Sequence, residues 1–421
     1  MTNPMAGHIT LRFRLLAMFI SAWLTYLGLY SLFIYQSNQN SLTARIDRPL
    51  PSLTERTEVI EVSEENLAES NLQNESGESN SSIPNEHITV ITMLDNTEKL
   101  KDYALALDTM RCYCKGHGYN YILLDLSTNR TFDKACKHQH IWYRRHCVLA
   151  EILKRAPTYN TSGTWFVAVD ADTGVINPRH KIQEWIDDTV DIIFYNRIWQ
   201  FELMAGIFMV KKSSLAEQFL LRWAAYPDVE PKSLRFFDNV MIHSVVMDLM
   251  RPQRPAERKV CDGLLHISTK WDDAYVYEAC ARMVMRNMSF DGGKMLIYKK
   301  GGSWCRDGWL LSSKWCPNDF FLHGWQIRSE TGHELYERSL LSHTFKDSDC
   351  HPHNFLGAWQ YNVSFMDSCE SIEAGLKSYI DGSDKKFNKA VTEVQKFAAN
   401  HSYDSDFFFS FSAPWHETII A

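Results

Sequence analysis

Trp165-Phe-Val-Ala-Val-Asp170-Ala-Asp172-Thr-Gly-Val-Ile-Asn-Pro178 is an apolar run that stops at two carboxylates one residue apart. An unbroken apolar run of this length fits a strand covered on both faces. Residues i and i+2 of a strand point the same way, so Asp170 and Asp172 can converge on one ligand. In an open parallel sheet, ligands bind at the carboxyl ends of the strands. Two hard oxygen donors there suit Mn²⁺ or Mg²⁺, which keep open positions for the phosphates of a substrate. The same Asp-x-Asp pattern recurs at Asp347/Asp349 and Asp404/Asp406, in neither case after a strand-like run. Position therefore singles out the first pair; its bland alternative is a solvated turn or a helix N-cap.

Upstream, His87-Ile-Thr-Val-Ile-Thr-Met-Leu94 reads as a strand that ends in Asp95-Asn96. Glu98 to Lys115 carries Leu100, Tyr103, Ala104, Leu107 and Met110 at helical spacing, and Gly116-His-Gly118 stops it. Tyr121 to Leu124 is a second strand, and His138 to Arg155 a second helix closed by Pro157. Strand, helix, strand, helix, strand predicts an α/β fold with a parallel, doubly wound sheet. No Gly-x-Gly-x-x-Gly follows the first strand and no Gly-x-x-x-x-Gly-Lys occurs, which excludes the usual dinucleotide fingerprint and the P-loop.

Downstream, Asp191 to Tyr195 and Gly206 to Val210 read as strands. Ser213 or Ser214 can cap a helix to about Tyr226 with Leu215, Phe219, Leu220 and Trp223 on its buried face. Another helix begins near Phe236 and buries Val240, Met241, Val245 and Leu249; His243 among them reads as a packed side chain rather than a ligand. Val260 to Ser342 reads as loop-rich, with Trp271, Trp304, Trp309, Trp315 and Trp325 close to Asp and His residues. Such tryptophans either stack on sugar rings or form core. Lys386 to Ala399 is the clearest helix of the remainder, and Phe407 to Phe411 could cover an edge.

The 421 residues carry a formal net charge of -7 with no basic stripe, which excludes the electrostatic footprint of a nucleic-acid partner. Leu15 to Tyr35 is uncharged and long enough to cross a bilayer, with Arg12 and Arg14 just before it. This predicts a cytoplasmic tail (1–14), an uncleaved signal-anchor span (15–35) and a lumenal remainder, because positive residues stay inside. Gln36 to Glu86 has neither aromatic residues nor cysteine and is too polar to bury a core, so it reads as a disordered stem. Sequons at Asn74, Asn80, Asn129, Asn160, Asn287, Asn362 and Asn400 agree with a lumenal orientation. All ten cysteines lie beyond residue 111, where an oxidising compartment favours disulfides, and Cys305 could pair with Cys316. Cys112, Cys114, Cys136, His138, His140, His146 and Cys147 match no structural zinc spacing.

Val167-Ala-Val-Asp170-Ala-Asp172 with Ile176-Asn-Pro178, Leu203-Met-Ala-Gly206-Ile-Phe-Met-Val-Lys-Lys, Phe219-Leu with Trp223, Asp238-Asn239 and Phe321-Leu-His323-Gly324-Trp325 together resemble a GT-A glycosyltransferase. The likeness is to the retaining Golgi galactosyl-, mannosyl- and xylosyltransferase family, and closest to a nematode branch of it. The resemblance implies a Rossmann-like nucleotide-diphospho-sugar transferase domain over residues 87–345 with a C-terminal helical extension, 346–421. It also implies a type II Golgi membrane protein that moves a hexosyl or pentosyl unit from a nucleotide-sugar donor to a glycan or glycoprotein acceptor. In such enzymes Asp170, Asp172 and His323 would hold Mn²⁺ (or Mg²⁺) on the donor diphosphate. Asp95 would reach the nucleotide base, Gly206 the donor sugar, and Asp238 the sugar cation. The chain departs at Met204, since relatives carry Asn, then Ala or Thr, then Gly at the donor-sugar loop and Met204-Ala205-Gly206 lacks the Asn, and the nearby His343, His351 and His353 compete with His323.

Two other classes share parts of this pattern. Haloacid-dehalogenase-like phosphatases open with Asp-x-Asp but on the domain's first strand, and they need Thr or Val where this chain has Gly174. A catalytically silent carbohydrate-binding protein would keep the fold and the aromatic residues and lose metal-dependent turnover.

Overall fold

A computed structural model describes residues 83–138, 140–156, 163–226, 238–250, 255–285, 295–326, 340–341, 345–401, 408 and 419–420. The expected tail (1–14), span (15–35) and all but the last residues of the stem (36–86) lie outside them, as do His343, Asp404, Asp406 and four of the sequons. Among the described residues no helix is long and apolar enough to cross a membrane.

β1 (Ile88–Leu94) is central because both of its faces are apolar, and it pairs in parallel with β2 (Asn120–Asp125) and β3 (Trp165–Val169). α1 (Ala104–His117) and α2 (Ile141–Arg155) supply the two connections. Gly118 ends α1 in the left-handed conformation, where a residue without a Cβ is unstrained. The folded part reaches back at least to Ile83, which is buried and whose carbonyl accepts from Gln183 Nε2 at 3.2 Å. That is four residues before the expected start.

The expectation of a parallel sheet holds for these three strands and for one further pair, Ile192–Tyr195 with Met295–Tyr298, and fails at the strand that joins the two sets. β5 (Ile192–Tyr195) and β6 (Phe208–Lys211) are joined by a loop that folds back on itself through an Asn196–Leu203 bridge and contains no helix, so the chain returns antiparallel and β6 lies antiparallel to both β3 and β5. With β7 (Met295–Tyr298) and β10 (Ile419–Ile420) the result is a mixed seven-stranded sheet of order β10-β7-β5-β6-β3-β1-β2. β10 covers the edge of β7.

α3 (Ser214–Ala224) starts at Ser213, whose side chain accepts from the Ala216 amide. It packs with α4 (Asp238–Met250) on one face of the sheet, where Phe166, Phe194, Phe208 and Trp223 are buried together. Trp165, Val167, Ile193 and Met209 alternate with them toward α1 and Trp304 on the other face. This two-sided burial is why β3 reads as an unbroken apolar run.

The segment from Val260 to Ser342 is not loop-rich. It contains α5 (Pro255–Ile267) and α6 (Trp271–Met285), as well as β7, β8 (Cys305–Asp307) and β9 (Phe321–His323). Every residue of α6 from Tyr277 to Met285 is buried, so this part of the helix has no polar face and shows no stripe in the sequence. His243 is indeed packed: it is fully buried, with Nδ1 3.2 Å from the Val240 carbonyl.

α7 (Cys369–Asn400) is far longer than the Lys386 to Ala399 helix expected, and the C-terminal segment is stitched into the domain. Trp359 Nε1 donates to the Val175 carbonyl at 2.8 Å and Tyr361 to that of Ile176 at 2.9 Å. Disulfides join Cys112 to Cys350, Cys136 to Cys147, Cys261 to Cys280 and Cys316 to Cys369. The Cys305–Cys316 pairing is therefore incorrect: Cys316 faces the first turn of α7, while Cys305 is a buried free thiol on β8, as Cys114 is on α1. The imagined zinc cluster is used up in the same way, by the bridges at Cys112, Cys136 and Cys147. Alkylation of the unfolded, unreduced protein should modify two of its ten cysteines, Cys114 and Cys305. Four or more labelled sites by mass spectrometry would contradict this pairing.

Candidate metal centre

The acidic tip of β3 meets a second, three-stranded sheet of order β4-β9-β8, whose β4 (Thr173–Val175) follows the acidic pair directly. Register sets Thr173 opposite His323 and Asp307 opposite His323. The main chain tightens the junction, since Gly324 and Trp325 both donate their amides to the Asp172 carbonyl, at 2.9 and 2.7 Å. Gly324 has φ +97°, and Gly174 lies directly under the Trp325 ring, where a Cβ would come within 2.0 Å. Both positions need glycine for these reasons.

Asp170, Asp172 and His323 each present a ligand atom within 4.8 Å of the others. His323 Nε2 stands 3.4 Å from Asp172 Oδ1 and 3.8 Å from Asp170 Oδ2. Neighbouring donors on an octahedral cation lie about 3 Å apart, so small side-chain adjustments would close the triad on one ion. The two carboxylates match the preference of Mn²⁺ or Mg²⁺ for hard oxygen donors, and the imidazole, a softer donor, suits Mn²⁺ better than Mg²⁺. His323 Nδ1 is 2.8 Å from Asp307 Oδ1, which fixes the ring and directs Nε2 at the carboxylates. His351 and His353, the alternatives weighed from sequence, are exposed and join no such cluster among the described residues.

Electrostatics agree with a site arranged for a cation. Burial and the neighbouring Asp170 raise the Asp172 carboxyl, although His323 opposes them. Burial disfavours charge on His323, but Asp172 and Asp307 outweigh it and bring the imidazole up to about 9. A proton there supplies the positive charge that the two aspartates require. Asp307 keeps its own charge despite burial, because Arg197 and His323 hold it down at about 2. Arg197 Nη2 and Nε reach Asp307 at 2.8 and 3.2 Å, and Trp199 Nε1 at 3.0 Å.

Asp170 also faces α2 and β6. Arg145 Nη1 donates to Asp170 Oδ1 at 2.5 Å, and Nη2 to Asp238 Oδ2 at 2.6 Å. Gly206 lies so close that a Cβ would come within 1.7 Å of Asp170 Oδ2. Here Ile91, Met93, Arg145, Gly206 and Phe208 line a cavity at the carboxyl end of the parallel strands. Asp238 opens α4 with its carboxylate almost wholly buried, bound by Arg145 and by His146 Nε2 at 2.9 Å. Asp95 is exposed just past the end of β1. The fold thus gathers Asp170, Asp172, His323 and Gly206, and links Asp238 to them through Arg145. Arg145, Asp307 and Arg197 had no sequence signal: they are ordinary charges in a helix, a short strand and a loop, and their partners are distant in the chain.

The same region makes a pH prediction. His146, stacked on Trp223 at 3.6 Å, is held neutral by burial down to about 4, and His243 to about 3. Both are depressed below the ordinary value, so the unfolded chain takes up protons first and folding stability falls as pH drops below about 6.5. By pH 4.5 the loss should be on the order of 2 to 3 kcal/mol for each histidine. Urea unfolding in chelator at pH 7.5 and 4.5 checks it, and equal stabilities at the two pH values would contradict it.

A family model described as "Protein of unknown function, DUF273" matches residues 110–337, more than half of the chain and all of the donor triad. None of the curated proteins compared matches it. One solved structure, described as a glycosyltransferase involved in the glycosylation of the major capsid of PBCV-1, aligns with 38% of this chain and 76% of its own at 17% identity, with a TM-score of 0.30. A likeness of that size decides nothing about this chain's chemistry.

Proposed function

As the chain belongs to the DUF273 family, whose description leaves function open, we propose its activity from the site itself: metal-dependent glycosyl transfer on a GT-A-type fold. The observation that carries this reading is the convergence of Asp170, Asp172 and His323 at the carboxyl end of a buried strand, beside a cavity, with Asp307 orienting the imidazole. When bound, Mn²⁺ or Mg²⁺ supplies Lewis-acid stabilisation of the departing nucleotide diphosphate. Asp170 and Asp172 hold it through oxygen and His323 through Nε2. Gly206 lets the donor approach Asp170 closely, and Asp95 serves the nucleotide base. Arg145 balances the charge of Asp170 and Asp238, and Asp238, buried behind it, bears on the sugar only by positioning Arg145. The sugar, a hexosyl or pentosyl unit, passes with retention to a glycan or glycoprotein acceptor. In this reading the enzyme is anchored in the Golgi membrane by residues 15–35 with its catalytic domain lumenal.

The test is a panel of UDP- and GDP-linked hexoses and pentoses, with release of nucleotide diphosphate measured in Mn²⁺ and in chelator. At least one donor should turn over only with the metal. If nucleotide binds and no donor turns over, the carbohydrate-binding reading replaces this one.

A further inference from the structure

Five tryptophans of the segment from Trp271 to Trp325 stand near acids and histidines in sequence, and the fold separates them. Trp304, Trp315 and Trp325 are core, each at most 2% exposed. Trp309 is half-buried, and its ring lies 5.5 Å from that of His323. Trp199, also half-buried, comes from the loop between β5 and β6 and donates Nε1 to Asp307, the carboxylate that orients His323. Between these two indoles lies Arg197, its guanidinium 5.3 Å from the Trp199 ring and 5.6 Å from that of Trp309. Asp307 and Glu202 hold Arg197 in turn.

We propose that Trp309, braced with Trp199 by Arg197, is a stacking platform for a pyranose ring of the acceptor glycan, beside the cation site. The proposal rests on the glycosyltransferase reading for the word acceptor; the platform itself rests on the two indoles. A pyranose presents a face of C–H bonds, weakly positive and apolar, that packs against the negative face of an aromatic ring. Indoles fixed from behind by a buried ion-pair network lose little freedom when a sugar settles on them, which is what a pre-organised subsite requires.

The position distinguishes acceptor from donor. Asp170, Arg145 and Gly206 bound the cavity on one flank of the donor triad, and neither Trp309 nor Trp199 lines it. Trp309 stands 5.5 Å from the ring of His323, a member of the triad that does not line this cavity. A donor diphosphate held on the triad beside Asp170, Arg145 and Gly206 leaves Trp309 to the group that receives the sugar.

Saturation-transfer NMR on the full-length protein tests this with lactose, N-acetyllactosamine, cellobiose, mannobiose and xylobiose as probes. At least one should be saturated, most strongly on the protons of one ring face. The signal should drop at least about fivefold in Trp309→Ala and persist in Trp309→Phe, which keeps an aromatic face. Mn²⁺-dependent UDP or GDP binding should be retained in Trp309→Ala, weakened far less than the sugar signal although the ring neighbours His323, and this also reports that the variant is folded. Asp172→Asn should keep the saturation and lose the nucleotide. Saturation that persists in Trp309→Ala, or none from any probe, would overturn the platform. Saturation that depends on Trp309 in a protein that binds no nucleotide would keep the platform and sink the transferase reading instead.

Discussion

Asp172→Asn is expected to leave the metal-free protein with the parent's melting temperature and to remove the stabilisation that Mn²⁺ plus nucleotide diphosphate gives the parent. The carboxylate sits at the end of a strand and is itself disfavoured in its charged form by burial and by Asp170, and when its attraction for His323 is removed the imidazole keeps Asp307 as its partner. The main-chain carbonyl that receives Gly324 and Trp325 is unchanged by the substitution. At a ligand concentration about a hundredfold above Kd, the parent gains about 2.7 kcal/mol, and the variant should gain none of it. Turnover should fall about 10²- to 10³-fold or more, since the leaving diphosphate loses its counter-charge. Asp347→Asn removes an exposed carboxylate that pairs with Lys115, and should do neither. Thermal melts with and without Mn²⁺ and UDP or GDP decide the matter. Parent-like stabilisation of Asp172→Asn by the pair would remove this residue from the site.

Asp307→Ala should have the opposite profile, a large loss of stability before any metal is added. Arg197 is buried and relies on Asp307 for two hydrogen bonds, with Glu202 at 3.4 Å as its other carboxylate. Removing one partner of a buried pair leaves an uncompensated charge, at a cost of about 3 to 5 kcal/mol. His323 loses the carboxylate that fixes its ring as well, so metal affinity should fall about 10- to 100-fold in whatever protein remains folded. Denaturant unfolding in chelator separates the two effects, and Mn²⁺ titration of the folded fraction measures the second. Asp307→Ala with the parent's stability in chelator would mean that the network linking Arg197, Asp307 and His323 is not what holds this sheet to the loop at Trp199.

The contrast between these variants follows from what each residue contacts, and it parallels what the sequence could and could not reveal. Asp170 and Asp172 are marked locally: an apolar strand covered on both faces must end, and charges at its end stand out against it. β1 to β3 with their two helices were legible for the same reason. His323 is brought to the aspartates by strand pairing between β4 and β9, far apart in the chain, so only a resemblance drew attention to it. Arg145, Asp307 and Arg197 are set by non-local contacts with no periodicity to betray them. Two expectations failed because sequence proximity was taken for geometry or polarity for exposure. Cys305 and Cys316 are close in the chain, yet Cys316 bonds Cys369 on α7. α6 leaves no such mark because from Tyr277 onward it is buried on every side and carries no stripe, even with Glu278 and Arg282 inside it.

The most direct measurement of the central claim is an anomalous difference map from crystals grown with Mn²⁺ and UDP or GDP, collected at the manganese edge. One peak is predicted between Asp170, Asp172 and His323, about 2.0 to 2.2 Å from Asp172 Oδ1 and His323 Nε2, with diphosphate oxygens completing the shell. Nucleotide bound with no peak at this place, or a peak coordinated by other residues, would contradict the assignment of the metal centre and the activity proposed from it.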